Sequence, residues 1–480
     1  MVCLFLSQGL TFYCFGQEWK FTENTAQAYA KVLSLQPEEA LQSIPEPQTA
    51  QELYVYGLAE AIELLITEDA EKFSVYEDLY ENRIEKRARG TDADHLFMQA
   101  ELRLQWAFVY LKYGHEFDAA LNLKQAYEIA ESCKLKFPKY LAIKKTSGLL
   151  QIIIGSVPEK YNWVLSLLGI QGSIQTGLDE LEAVRKSNSA LAFEADLLFS
   201  LVQGFVFQQP DLAVKELRKL QEKEPDNNLV LFLGATLAIK NSQSEDALGM
   251  LNRLSESSQH FPIHYAEYLK GEIYLHKADY LNSITSYRWF INHYTGQNYI
   301  KDAYYKIGLC YWLNGNNSDA LAIFKEAKTK GREESEADKY AGRSLAETEM
   351  PHVKLSKVRY YTDGGYYAEA SRLAAAITPE ELPTKRDQVE FQYRKARLAH
   401  KTNQLTTAKL FYQQTIAANG SENWYFAPNA CLQLGYIAWE EKDKASAERY
   451  FLQALSYKKH EYKNSIDSKA KTALAQLDRK

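Results

Sequence analysis

Glycine and proline are scarce in this chain. They contribute 23 and 12 of its 480 residues, about 7% together, where about 12% is average. A sandwich or barrel of many short strands needs more turn-forming residues, so the shortage disfavours an all-β fold and favours long helices with brief connections. The hydrophobic share of 46% and the charged share of 25% are those of a folded globular protein rather than a disordered one.

Cysteine is also scarce, and long apolar runs are missing. Five Cys residues occur, and Cys133, Cys310 and Cys431 stand far apart beyond residue 16. Their spacing predicts neither a disulfide framework nor a zinc site, so we expect small buried thiols. No segment reaches 18 consecutive apolar residues, and the sequence therefore predicts no transmembrane helix.

Motifs that carry catalytic chemistry are missing as well. His260 and His264 have the spacing of two metal ligands on a helix, but Pro262 separates them and no Glu follows His260. No Gly-x-Ser-x-Gly elbow occurs, and the Gly-Ile-Gln-Gly run at residues 169–172 has no Lys-Ser/Thr behind it. We predict no enzyme, no metal and no cofactor, and the mild net charge of −6 does not favour a nucleic-acid partner.

The first residues have the character of an export signal. Residues 2–15 are uncharged and rich in Leu, Phe and Cys, and Cys14 and Gly16 would stand at −3 and −1 of a cleavage after Gly16. The usual basic start is missing, and a buried first helix is the alternative. We expect residues 1–16 to be a signal peptide and the protein to be periplasmic or outer-membrane-associated, with a cytoplasmic location as the alternative.

A pattern of small and large residues recurs along the second half of the chain. Gly435, Ala447 and Phe451 have the same spacing as Gly308, Ala320 and Phe324. Weaker copies place unit starts near residues 194, 227, 264, 301, 351, 389 and 428, and the longer gap after 301 predicts an extra charged helix around 333–349.

This pattern resembles the tetratricopeptide repeat from about residue 190 to the end. The resemblance implies an all-α, right-handed superhelical solenoid of antiparallel helix pairs, because no pair buries its apolar face alone. We expect about seven units in residues 191–480. Residues 17–190 also have helical periodicity, but it is less regular, and we expect an irregular helical region there.

A second resemblance covers residues 90–190. A glycine- and proline-containing entry at 155–158, a Leu-Leu helix at 165–168, a Gly-Ile-Gln-Gly turn at 169–172 and a Gly-Leu-Asp-Glu-Leu run at 177–181 carry it. These residues resemble the tetratricopeptide-39 and inclusion-body-clearance family, of which the chain would be a bacterial relative. The resemblance implies an interaction scaffold with a loose link to aggregate or lipid handling.

The repeat resemblance also implies which residues line the concave groove. These are the aromatic and arginine residues at the groove-facing positions of each first helix: Tyr265, Tyr268, Tyr305, Trp312, Tyr393, Arg397, Tyr436 and Trp439. Such residue types are enriched where interfaces gain most of their energy. We predict a non-catalytic scaffold that binds protein or peptide partners in this groove. The alternatives are a glycan- or lipid-binding protein at an outer membrane and an enzyme with its site in the N-terminal half.

The two ends of the chain differ in charge. Residues 17–101 hold 18 acidic and 7 basic residues, whereas residues 384–480 hold 10 acidic and 17 basic ones. Head-to-tail self-association is one hypothesis, an acidic partner for the C-terminal end is another, and two solvated ends are the third.

Overall fold

The structure is a computed structural model, and it describes residues 18–86, 89–157, 165, 168–257, 261–347 and 349–477. The expected signal peptide, residues 1–16, lies outside the described residues, as does His260. All regular structure in the described part is helical, as the composition predicts.

Twenty-four α-helices follow one another in the described residues. In the first half they are α1 (Glu23–Val32), α2 (Pro37–Ser43), α3 (Ala50–Thr67), α4 (Ala70–Lys86), α5 (Ala93–Lys112), α6 (Glu116–Lys136), α7 (Ile143–Gly155) and α8 (Ile174–Arg185). Then come α9 (Ala192–Leu201), α10 (Pro210–Lys223), α11 (Asn228–Lys240), α12 (Ser244–Ser257), α13 (Tyr265–His276), α14 (Tyr280–His293), α15 (Ile300–Leu313) and α16 (Asn317–Ala327). The last are α17 (Glu336–Ala346), α18 (Val353–Gly364), α19 (Tyr367–Ala375), α20 (Lys385–Lys401), α21 (Leu405–Asn419), α22 (Phe426–Glu440), α23 (Lys444–Ser456) and α24 (Lys463–Leu477).

Local sequence signals begin and end these helices. Thr49 and Glu52 form a capping box at the start of α3, where the Thr49 hydroxyl accepts from the Glu52 amide and the Glu52 carboxylate accepts from the Thr49 amide at 3.0 Å. Gly315 ends the turn between α15 and α16 with φ of 84°, a conformation that glycine adopts without strain. Short turns near residues 314, 402 and 441 separate paired helices.

Seven helix pairs form the repeat array. Their first helices α9, α11, α13, α15, α18, α20 and α22 begin within four residues of the predicted unit starts. The small positions bring paired helices together, because a Cβ at Gly308 would lie 2.6 Å from the Phe324 ring and one at Gly435 would lie 2.4 Å from the Phe451 ring. In each pair the aromatic ring therefore packs directly against the backbone of the glycine.

The glycines of the N-terminal half serve the same purpose between α7 and α8. A Cβ at Gly177 would lie 2.5 Å from the carbonyl oxygen of Gly148, and a Cβ at Gly148 would lie 2.8 Å from the carbonyl oxygen of Gly177. The two helices therefore touch backbone to backbone. A Cβ at Gly172 would lie 2.3 Å from the backbone nitrogen of Gly155, so these two residues also meet through their backbones. These glycines therefore let α7 and α8 approach closely.

The N-terminal half packs against the repeats. One hydrophobic core runs from Trp19 to Leu237 without a break at residue 190. Farther along, the Glu68 carboxylate accepts a hydrogen bond from the Tyr294 hydroxyl at 2.7 Å and from the Gln297 amide at 2.8 Å. This buried carboxylate joins the end of α3 to the loop between the third and fourth units.

The extra helix predicted between the fourth and fifth units is present as α17. Its Asp338 accepts hydrogen bonds from the backbone amides of Tyr299 at 2.6 Å and Asp302 at 3.0 Å. These amides belong to the first turn of α15, where a helix leaves its N–H groups without partners. Helix α17 is therefore fixed across the start of α15.

Candidate functional site

The eight residues predicted to line a groove lie on the first helices of four units. Helix α13 carries Tyr265 and Tyr268, α15 carries Tyr305 and Trp312, α20 carries Tyr393 and Arg397, and α22 carries Tyr436 and Trp439. Three are buried, with exposed fractions of 3% for Tyr268, 4% for Tyr305 and 3% for Tyr393. The other five remain partly exposed.

The inner side of the array is filled between the second and fifth units. Helix α18 packs against α13 across the intervening unit, and the rings of His276 and Tyr360 lie 6.1 Å apart. At the neighbouring turns, a Cβ at Gly365 would lie 2.1 Å from the carbonyl oxygen of Ser242. Tyr268 and Tyr305, which the sequence places in an open groove, are core residues in the structure, whereas Tyr265 and Trp312 are partly exposed.

Charged residues on the first helices of the same units form a buried cluster. The Lys306 ammonium lies 2.5 Å from Glu272 and 2.7 Å from Asp302, and it donates to the Tyr268 hydroxyl at 3.0 Å. The Tyr268 hydroxyl in turn donates to Asp302 at 2.6 Å. Burial raises the pKa of Asp302 to about 6, although the charge of Lys306 opposes this shift. These groups bind one another inside the array.

A partly open inner face remains in the last two units. The Arg397 guanidinium donates to the Gln433 side chain at 2.9 Å, which joins the inner faces of α20 and α22. Tyr436 lies three residues after Gln433 and Trp439 three further, so both share this face. The Tyr436 ring lies 5.3 Å from Phe451, so its position is held by the repeat packing.

Four cations from distant parts of the chain, Arg397 of this face among them, lie close enough for their charges to interact. Burial lowers the pKa of Lys469 to about 8, and the charges of Lys240 and Arg397 lower it as well. Burial lowers the pKa of Lys401, and the charge of Arg397 lowers it further. Within the described residues none of these four cations has a carboxylate within 4 Å. We call Lys240, Arg397, Lys401 and Lys469 the inner cationic surface.

Carboxylates stand near the inner cationic surface without pairing with it. Burial and the charge of Arg397 lower the pKa of Lys401, and the negative charges of Asp211 and Asp363 partly offset this lowering. Burial raises the pKa of Glu440, and the negative charge of Asp211 raises it further. Asp211 lies in the first turn of the second helix of the first unit, so charges of the first and last units lie close enough to interact. Sequence reasoning found Arg397 but could not find Lys240 or Lys469, because no repeat position links them.

The N-terminal half contains a second buried ionic cluster. Lys145 is 1% exposed, and its ammonium donates to Glu101 at 2.9 Å, to Glu194 at 2.6 Å and to the Tyr54 hydroxyl at 3.0 Å. The Tyr29 hydroxyl donates to Glu194 at 2.6 Å. The enzyme hypothesis predicts an accessible polar pocket near residues 95–190, whereas these groups are enclosed and paired with one another. We interpret the cluster as part of the core.

The described residues form neither a membrane span nor a metal cluster. No helix among them combines the length and apolar character that crossing a bilayer requires. No group of three or more His, Cys, Asp or Glu side chains in this part of the chain could hold a metal ion. Cys133, Cys310 and Cys431 are free and buried, as expected, and burial raises the pKa of each thiol to about 12. Such thiols are poor nucleophiles at neutral pH.

Comparison with known families identifies the repeat. The family model of the tetratricopeptide repeat matches residues 301–329 and 428–461, which are the α15–α16 and α22–α23 pairs with the chain that follows them. The fold thus defines an all-helical repeat protein that contains tetratricopeptide repeats. No curated protein sequence matches the chain.

Solved structures of repeat proteins resemble the chain only distantly. The human IFIT1 dimer with PPP-AAAA is 12% identical, with a TM-score of 0.31 and coverage of 96% of this chain and 95% of that one. Yeast Tom70 is 12% identical, with a TM-score of 0.25 and coverage of 94% and 88%. The tetratricopeptide domain of P58(IPK) is 14% identical, with a TM-score of 0.21 and coverage of 79% and 99%.

Proposed function

We propose that the protein is a non-catalytic scaffold and that it binds an extended protein segment on the inner face of its last two repeats. The observation that carries this proposal is the inner cationic surface beside Tyr436 and Trp439. Cations held near one another without carboxylate partners repel, and an acidic segment would relieve that repulsion. Partly exposed aromatic rings and arginine provide apolar contact area next to the charges.

Selection from a displayed library of random 15-residue peptides tests the proposal. We expect the protein to enrich peptides that combine acidic and apolar residues. Replacing both Arg397 and Trp439 by Ala should weaken binding of the enriched peptides at least about tenfold, because interface anchors of these types contribute more than about 1 kcal/mol each. Fluorescence anisotropy of labelled peptides gives the dissociation constants.

The matched control is a double truncation on the outer helices of the same two units. Leu410 and Leu452 are 52% and 51% exposed on α21 and α23. The Leu410→Ala/Leu452→Ala variant should bind the peptides as the unmodified protein does. Failure to enrich any peptide, or equal losses in the two variants, would contradict the proposal.

We also propose that the protein is exported, on the basis of the apolar residues 2–15 alone. The chain should reach the periplasm of a Gram-negative host when it is expressed whole, and it should remain in the cytoplasm without residues 1–16. Cell fractionation with markers for each compartment measures this. Recovery of both forms from the cytoplasm would contradict export and would leave the peptide-binding proposal untouched.

The link to the tetratricopeptide-39 and inclusion-body-clearance family belongs with these proposals. It is supported by the glycine-containing stretch between residues 155 and 181, in which Gly155, Gly172 and Gly177 lie where α7 and α8 approach closely. A role in aggregate or lipid handling would follow from this resemblance only.

A further inference from the structure

A cavity of about 560 Å³ lies where the extra helix α17 interrupts the repeats. Helices α15 to α18 form one side of it, and α20 with the starts of α22 and α24 forms the other. The single helix α17, residue 347 and residues 349–352 border this space. Its volume is within the range of about 300–1,000 Å³ that is typical of small-molecule sites.

Aromatic rings make up much of the cavity wall. The rings lining it include Tyr305, Phe324, Tyr340, Tyr360, Tyr425, Phe426 and Tyr462. Tyr340 and Tyr462 face each other with ring centroids 5.9 Å apart. These surfaces suit the flat body of an organic molecule.

Some of the charged residues in the cavity are already paired. Arg394 donates to Glu390 at 2.6 Å and to the Tyr425 hydroxyl at 3.0 Å. Arg386 donates to Glu461 at 3.1 Å. These arginines are held in place by the protein, and their carboxylate partners largely offset their charge.

Of two further arginines in the cavity, one has a longer carboxylate contact and the other has none among the described residues. Arg359 donates to the Tyr340 hydroxyl at 3.1 Å, and its nearest carboxylate, Asp363, lies 3.5 Å away on its own helix. Arg343 lies over the Tyr462 ring at 5.4 Å, and no described carboxylate comes within 4 Å of it. Arg359 is thus held at Tyr340, and Arg343 lies over Tyr462.

The electrostatics of Tyr340 agree with an excess of positive charge at this point. Burial opposes ionisation of its phenol, but the charge of Arg359 and its hydrogen bond lower the pKa of Tyr340 below the ordinary value. Glu347, Glu349 and Asp387 also line the cavity, so the lining as a whole is close to neutral. Lys325 and Lys328 also line the cavity, so Arg343 and Arg359 are two of its four cations that are not in close carboxylate pairs among the described residues.

We propose that this cavity is a binding site for a small organic anion. The ligand has a carboxylate or phosphate that contacts Arg343 and Arg359, and a flat apolar body that packs against Tyr340 and Tyr462. Arginine suits this task because its planar fork donates two parallel hydrogen bonds to such groups. The anion is either a free small molecule or a side chain of a bound segment. The site does not depend on peptide binding at the inner cationic surface.

Isothermal titration calorimetry with phenyl phosphate and benzoate tests the proposal on the full chain. We expect saturable one-site binding of at least one of these anions, and none of phenol. Arg343→Gln should weaken binding at least about tenfold through loss of charge-assisted hydrogen bonds. Arg343 is exposed and unpaired, so this variant should keep its fold, as thermal unfolding would show. Arg359→Gln should weaken binding similarly.

The matched control is Arg372→Gln, which removes an exposed arginine of α19 that does not line the cavity. It should bind the probe as the unmodified protein does. An alanine peptide with one central phosphotyrosine identifies the source of the anion: much tighter binding than phenyl phosphate indicates a segment, and equal binding indicates a free molecule. No saturable binding by either anion up to about 10 mM, or an Arg343→Gln variant that matches the control, would overturn the proposal.

Discussion

Replacing Lys145 by Met should destabilise the N-terminal half by about 4 kcal/mol, because it leaves Glu101 and Glu194 buried without their shared cation. Lys145 is among the largest fully buried side chains, and its ammonium contacts both carboxylates within 3 Å. Methionine keeps much of the volume but none of the charge. The urea midpoint of the first unfolding transition, followed by circular dichroism, measures the loss.

The size of this loss should depend on pH. Burial raises the pKa of Glu101 even with Lys145 present, although Lys145 lowers it. Without Lys145 the pKa in the folded state rises further above that in the unfolded state. Because the folded state then holds its proton more tightly than the unfolded state, the free energy of unfolding falls as the pH rises through the folded pKa. At lower pH this loss is smaller. The deficit of Lys145→Met should therefore be smaller at pH 5.5 than at pH 8.

Lys144 supplies the control for both experiments. It lies on the same helix, is partly exposed and is next in sequence. Lys144→Met should change stability by less than about 0.5 kcal/mol, as surface substitutions usually do. Equal midpoints for the two variants, or a deficit that does not change with pH, would contradict the role assigned to Lys145.

Adding a single methyl group at Gly177 should destabilise the protein by about 2–3 kcal/mol. The new Cβ would lie 2.5 Å from the Gly148 carbonyl oxygen and 2.9 Å from the Ile152 amide nitrogen. Both are backbone atoms, so relief requires α7 and α8 to separate rather than one side chain to rotate. Urea unfolding of Gly177→Ala measures the change.

Gly249 offers the same substitution without the contact. It is exposed within α12, and a Cβ there would meet no atom within 4 Å. Gly249→Ala should be neutral or should stabilise the protein by up to about 1 kcal/mol, because alanine loses less backbone entropy in a helix. A Gly177→Ala variant as stable as Gly249→Ala would contradict the close packing of α7 on α8.

The repeats could be predicted from sequence because their packing is local. Gly308 and Phe324 are 16 residues apart, and this spacing alone indicates a helix pair in which a ring covers a glycine. The extra helix α17 could be predicted because the longer gap between two regular units leaves residues for one more helix. Both inferences depend only on neighbouring segments.

The inner surfaces could not be predicted in the same way. The repeat resemblance assigns Tyr268 and Tyr305 to a groove, but the repeat pattern does not show what packs on that side of each helix. In the structure Tyr268 packs against Tyr287 and Phe290 of α14, and Tyr305 packs against Phe324 of α16 and Tyr340 of the extra helix α17. The packing of α18 against α13 and the interaction of Lys240 with Lys469 join units that are not consecutive, so the repeat pattern does not predict them.

The contact between the turns at Ser242 and Gly365 has a consequence for how the array loses its structure. An array in which each unit touches only its neighbours can fray from an end, one unit at a time. Here the Tyr366 hydroxyl also bonds Glu245 at 2.8 Å, so the second and fifth units are tied directly. The units between them form a closed loop, and opening any one of them strains the other contacts of that loop. The middle of the molecule should therefore melt as one cooperative block, while the last two units can open separately.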